Sequence, residues 1–233
     1  MPYLKVHVDL YVVLVNVFIA VKMAFAEQLL QHPFSMLVAG PSKAGKTVFT
    51  SKLLKHIDSM STIPPVEILW CYAEYQPNYH SLVLENPRVQ LIQGLPDLKD
   101  LRKKSNIPRL LVLDDLMQES AKDNTMSTLF TRGIHHWNVS VVFIVQNVFL
   151  GGLRTARINA HYMVLFKNPS DKLQVSTLAR QLYPKNAGFF LDAFQDATSE
   201  PYTYLFVDLS QNCPDPLRLR SNVFPGELTL VYT

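Results

Sequence analysis

MLVAGPSKAGKTVF, residues 36–49, joins an apolar run to a glycine-framed loop and then to a helical pattern. Gly40-Pro41-Ser42-Lys43-Ala44-Gly45-Lys46-Thr47 has the G-x-x-x-x-G-K-T spacing of a phosphate-binding loop, with a strand expected before it and a helix after it. The chemistry explains the residue types. Glycines let backbone N–H groups converge on phosphate oxygens at the positive end of the following helix. Lys46 supplies positive charge to the β- and γ-phosphates, and the Thr47 hydroxyl is a ligand for Mg²⁺. Gly40 to Val48 are therefore the candidate nucleotide contacts, with Lys43 read as a solvated loop residue.

Working outward, short apolar runs alternate with helical patterns, which predicts an α/β fold with a mostly parallel sheet flanked by helices. Strands are expected at 35–39, 66–72, 89–92, 109–113, 139–145, 162–166 and 202–207, and the continuous β-branched and leucine runs among them suit strands buried on both faces. Helices are expected at 46–60, 124–136, 170–182 and 187–194. After Asp208 the pattern becomes LRLRSNVFPGELTLVYT, where Pro225-Gly226 separates two alternating runs and predicts a C-terminal β-hairpin.

The composition of the 233 residues, 48% hydrophobic and 18% charged, is that of a folded globular chain rather than a disordered one. A net charge of +3 neither announces nor excludes a nucleic-acid partner, which depends on clustered basic residues. Cys71 and Cys213 stand far apart, without metal-ligand spacing, and suit a reducing, intracellular setting. His135-His136 has no third ligand nearby and reads as a helix end. The uncharged run Leu10 to Val21 is shorter than the ~20 residues a spanning helix needs, so no stable membrane association is expected. It reads as an extra β-rich segment or as sequence upstream of a start at Met23. Residues 1–28 are thus taken as an apolar extension and 29–233 as the P-loop domain.

Two further strand ends carry chemistry. Arg109-Leu-Leu-Val-Leu-Asp114-Asp115 is an apolar strand ending in two carboxylates, the Walker B form. Asp114 is the candidate Mg²⁺ ligand and Asp115 the candidate base that orients and deprotonates water, with a turn or cap role as the alternative for Asp115. Val139 to Gln146 (VSVVFIVQ) ends in an amide placed to sense a γ-phosphate and the attacking water, the arrangement of RecA-like ATPases with an extra strand. A GTPase would carry an NKxD-type base-reading loop, and Lys167-Asn168-Pro169-Ser170-Asp171 has the wrong order, so ATP is favoured. A nucleotide or nucleoside kinase would place a lid and an acceptor pocket after the Walker B strand. A non-hydrolysing nucleotide-binding scaffold is the third reading. Trp70, Tyr72, Tyr75 and Tyr79 read as core and cleft packing.

With these motifs, ILWCYAEYQPNY, LFTRGIHHWNVSVVFIVQN, RINAHYMVLFKNPSD and PYTYLFVDL, the chain resembles the FtsK–HerA superfamily of DNA-pumping ATPases over about residues 29–226. The likeness is to the viral genome-packaging branch of poxvirus-type viruses and Polinton (Maverick) elements. The resemblance implies a homo-oligomeric ring, hexamer or pentamer, that uses ATP and Mg²⁺ to thread double-stranded DNA toward a capsid or portal-region protein. It also implies an intracellular, virion-associated location, in host nucleus or cytoplasm. It assigns Lys46 and Thr47 to nucleotide, Asp114 and Asp115 to the Walker B pair, and Gln146 to the sensor. Lys43, Ala44 and Asp115 depart from residues common in relatives. A ring motor also needs an arginine reaching a neighbour's γ-phosphate, for which Arg132 is the first choice, ahead of Arg154 and Arg157. The basic loop from Gly151 to Arg157 is expected to be flexible and to touch DNA phosphates through Arg154 and Arg157.

Overall fold

The computed structural model describes residues 12–15, 18–23, 29–103, 106–116, 128–130, 134–149 and 153–233. The strands are β1 (Val12–Val15), β2 (Phe18–Met23), β3 (Ser35–Ala39), β4 (Glu67–Tyr72), β5 (Val89–Gln93), β6 (Arg109–Asp114), β7 (Val139–Val145), β8 (Tyr162–Phe166), β9 (Tyr204–Asp208), β10 (Leu219–Ser221) and β11 (Thr229–Tyr232). The helices are α1 (Lys46–Met60), α2 (Tyr79–Glu85), α3 (Leu98–Lys103), the short turn α4 (Ile134–His136), α5 (Arg154–Ile158), α6 (Lys172–Leu182) and α7 (Ala187–Ala197).

Among the described residues, eleven strands form one sheet in the order β1-β2-β11-β10-β9-β8-β3-β7-β6-β4-β5. The block from β8 to β5 is parallel throughout, and the strands from β9 outward add antiparallel. The diagnostic feature is β7. It follows β6 in sequence yet pairs between β3 and β6, the inserted strand of RecA-like P-loop ATPases.

Burial explains the composition of the central strands. Every residue of β3, β6 and β7 is buried, because helices cover both faces of the parallel block. One face packs α1 and α2 through Phe49, Leu53, Ile57, Tyr79 and Leu82, joined by Val223 and Phe224. The other packs α6 and α7 through Val175, Leu178, Phe190 and Ala193. Truncating any one of the leucine, isoleucine or phenylalanine side chains among these to alanine would cost about 2–5 kcal/mol.

The C-terminal hairpin forms as β10 paired with β11. The N-terminal apolar run supplies β1 and β2, and β2 extends the sheet by pairing with β11. No helix among the described residues is long and apolar enough to cross a membrane. The strand expected from Tyr202 begins instead at Tyr204, because Glu200-Pro201-Tyr202-Thr203 makes a turn with Tyr202 at φ 66°. The helix expected from Ser170 begins at Lys172, with the Asp171 side chain capping it by accepting from Gln174 N–H at 3.1 Å. Of the helix expected over 124–136, only parts lie within the described residues, and Ile134–His136 is helical.

Candidate nucleotide site

The register of the sheet brings the three motif-bearing strand ends together. Ala39 at the end of β3 pairs with Val145 at the end of β7, and Asp114 at the end of β6 pairs with Ile144 beside it. Gly40 N–H donates to Val145 O at 3.2 Å, so the loop starts against the residue that precedes Gln146. The sequence-predicted groups at Gly40–Thr47, Asp114, Asp115 and Gln146 thus share one edge of the parallel block.

Local sterics fix the loop. A Cβ on Gly40 would lie 2.7 Å from Phe166 Cβ, and Phe166 is itself wedged against Phe49 and Tyr204. Gly45 is the N-cap of α1 at φ 106°, a backbone only glycine adopts readily. Lys43 sits at φ 64°, an unfavourable place for a residue with a Cβ. Lys46 Nζ donates to the carbonyl oxygens of Gly40 at 2.7 Å and Pro41 at 2.8 Å, which holds the ammonium inside the loop. Burial lowers its pKa, while the charges of Asp114 and Asp115 oppose that shift. Val48, one residue on, is 72% exposed.

Asp114 is 5% exposed and its Oδ2 accepts the Tyr79 hydroxyl at 2.8 Å. Burial raises its pKa, as does the neighbouring charge of Asp115, while the Tyr79 hydrogen bond and Lys46 pull it down. Burial and the same carboxylate hold the Tyr79 phenol far above its usual range, so it remains a donor. Asp115 is exposed, at φ 55°, the left-handed backbone that aspartate tolerates better than most residues. Its charge reaches Lys46 and Asp114. Gln146 is exposed directly after β7. Behind it, Asn147 Nδ2 donates to Asp171 Oδ2 at 2.6 Å, and Val148 N–H donates to Gln174 Oε1 at 2.7 Å.

Other candidates fare differently. Arg132, the choice for an arginine acting on a neighbour, lies outside the described residues. The flexible loop expected to carry Arg154 and Arg157 gives way to helix α5 over both of them, because Leu153 and Ala156 bury apolar surface there. Arg154 is exposed, whereas Arg157 is committed: its guanidinium stacks 4.3 Å from the Phe149 ring centre and donates to Gln181 Oε1. Among the described residues no group of three or more His, Cys, Asp or Glu could hold a metal ion. Trp70 and Tyr79 are buried as packing residues were expected to be. The role of Tyr79 as a donor to Asp114 was missed, since a tyrosine in an aromatic cluster gives no hint of a partner on another strand. Tyr202 was missed too, although Pro201 before it is a turn signal.

Comparison with known proteins agrees with the geometry. The family model described as Poxvirus A32 protein matches residues 22–175. The DNA packaging protein OPG160 of Variola virus is 27% identical over 145 residues, 54% of this chain and 50% of that protein. The protein of the same name from Vaccinia virus (strain Copenhagen) is 27% identical over 140 residues, covering 52% and 48% respectively. The chain therefore spans about half the length of the curated relatives it matches. Among solved structures, the cytoplasmic domain of the Type VII secretion ATPase EccC from Thermomonospora curvata superposes with a TM-score of 0.50 at 12% identity. That match covers 85% of this chain and 25% of the other, and it shows the shared fold.

Proposed function

Because the chain belongs to the Poxvirus A32 protein family, we propose that it is an ATPase whose hydrolysis drives double-stranded DNA into a viral capsid. The observation that carries this reading is the insertion of β7 between β3 and β6, which puts Gln146 beside both the phosphate loop and Asp114. A kinase has no need of a sensor amide at that point.

In this reading the Gly40–Val48 backbone and Lys46 bind the phosphate chain, and Lys46 exchanges its two loop carbonyls for β- and γ-phosphate oxygens. The oxygen donors of Thr47 and the buried Asp114 suit Mg²⁺, which takes few protein ligands and retains waters. Bound there, the ion would neutralise charge building on the phosphate oxygens. Asp115 accepts a proton from the attacking water, and Gln146 orients that water and registers the loss of the γ-phosphate. The P-loop domain spans 29–233, and the apolar extension before it adds β1 and β2 to the edge of that domain's sheet. The working unit is a homo-oligomeric ring, hexamer or pentamer, associated with the virion inside the host cell and engaged with a capsid or portal-region protein. An arginine from a neighbouring subunit completes the site, and Arg154, exposed on α5, contacts DNA phosphates.

The test is ATP hydrolysis measured with and without double-stranded DNA, alongside particle size by light scattering. Hydrolysis stimulated by DNA, abolished in Lys46→Ala and accompanied by a ring-sized particle is the expected result. Hydrolysis by a monomer that ignores DNA would overturn the motor reading.

A further inference from the structure

A cavity of about 400 Å³ opens beside the phosphate loop and shares Gly45 with it. Its walls include Val48 on α1 and Tyr202 in the turn before β9, each 72% exposed although large and apolar. Its floor is the aromatic cluster of Phe49, Tyr204 and Phe224, with ring centres 4.8 and 5.1 Å from Phe49. Tyr202 is held at φ 66° behind Pro201, in the turn position that favours glycine or asparagine, and Thr203 Oγ1 closes that turn by donating to Glu200 O at 2.7 Å. A strained backbone that keeps an aromatic ring at the lip of a cavity is the kind of outlier that marks a ligand clamp. The ring also abuts the loop, since a methyl group on Gly45 would sit 3.5 Å from Tyr202 Cδ1.

We propose that this cavity receives the base of the bound nucleotide, an adenine held between the Tyr202 ring and the Val48 side chain. The proposal rests on the phosphate-loop reading above and extends it. In a P-loop site the lysine reaches the β- and γ-phosphates and the threonine hydroxyl the Mg²⁺, so a cavity against the residues that follow them in the helix lies beside the phosphate chain. Val48 and Phe49 are those residues, and the cavity lies against both. Its size and largely apolar walls are those of a small-ligand site. Its polar groups also bear on base choice. A carboxylate able to read guanine's N1–H and amino group would be the mark of a guanine site, and Glu227 lines the cavity. Both Glu227 oxygens are already engaged, Oε1 by the Lys52 ammonium and Oε2 by Phe224 N–H at 3.2 Å. Lys52 is fixed in turn over the Phe224 ring, 4.6 Å from its centre. The carboxylate is thus oriented by the protein's own donors rather than free to turn to a base edge, and stacking serves adenine without it.

The experiment is equilibrium binding, by calorimetry with Mg²⁺ present, of ATP, GTP and inorganic tripolyphosphate to the full chain and its Tyr202→Ala and Tyr202→Phe variants. Loss of one stacking face should weaken ATP by roughly tenfold. Tripolyphosphate binding should stay unchanged, Tyr202→Phe should restore ATP affinity, and ATP should bind at least as tightly as GTP. Unchanged ATP affinity in Tyr202→Ala overturns the proposal. So does an equal loss for ATP and tripolyphosphate, which would make Tyr202 a support of the loop, and so does tighter binding of GTP than of ATP. A wild-type protein that binds neither ATP nor tripolyphosphate overturns the phosphate-loop reading and this proposal with it.

Discussion

Replacing Tyr79 with phenylalanine removes a single oxygen and leaves the ring to pack against Trp70 and Tyr75, whose centres lie 5.5 and 5.7 Å away. What is lost is the 2.8 Å hydrogen bond to Asp114 Oδ2. Bonds from a neutral donor to an ionised group are worth about 1.5–3 kcal/mol, and outer partners of metal ligands typically govern about 10–100-fold in metal affinity or activity. The sign follows from the balance on Asp114. Burial raises its pKa first and Asp115 adds to that, while the Tyr79 bond and the Lys46 charge oppose it. Deleting the Tyr79 bond lets the pKa climb further, so a higher pH is needed to ionise the carboxylate that is to hold Mg²⁺. A Mg²⁺ titration of ATP hydrolysis at fixed pH should show half-saturation raised by about tenfold or more, and repeating it across pH should show the acid limb displaced upward. Wild-type values for both in a folded Tyr79→Phe protein would refute the assignment of Tyr79 and Asp114 as a unit.

The same balance predicts that Asp114→Asn melts above the wild type at neutral pH yet loses Mg²⁺-dependent hydrolysis. A carboxyl whose folded pKa is raised stabilises the fold at acid pH and loses that contribution as pH rises through the raised value, so the melting gain should shrink on acidification. Gly40→Ala should destabilise by about 1–3 kcal/mol in a denaturant titration, because the new methyl would meet Phe166 Cβ at 2.7 Å with no room behind it. Lys43→Gly should raise the melting temperature by roughly 2–4 °C without weakening ATP binding, since it relieves a left-handed residue at φ 64° whose side chain is exposed.

What the sequence made legible was whatever repeats at a fixed period or sits at a fixed spacing. The loop from Gly40 to Thr47, the all-buried strands ending at Asp114 and Val145, and the Pro225-Gly226 hairpin belong to that class. Short helices such as α2, α3 and α5 span one or two turns, too few for a 3.6-residue period to stand out, and their tertiary packing decides them. The pairing of Tyr79 with Asp114 joins residues from separate elements, and no local pattern encodes it. The commitment of Arg157 to Phe149 and Gln181 is of the same kind, and a basic residue in a glycine-led segment reads as solvated until its neighbours are known. The pairing of β2 with β11 joins opposite ends of the chain, where strand character can be read but the partner cannot.

The residues just past Gln146 are stapled at two points to the first turn of α6: Asn147 to Asp171, the cap of that helix, and Val148 to Gln174. With each bond worth about 1 kcal/mol, that leash is stiff against small displacements and breakable under large ones. The backbone at Gln146 therefore has little freedom to shift alone. A shift there draws the start of α6 with it, and α7 packs directly against α6 in the same layer. The end of β7 is geared in this way to two helices, each eleven residues long, on the far face of the sheet from α1.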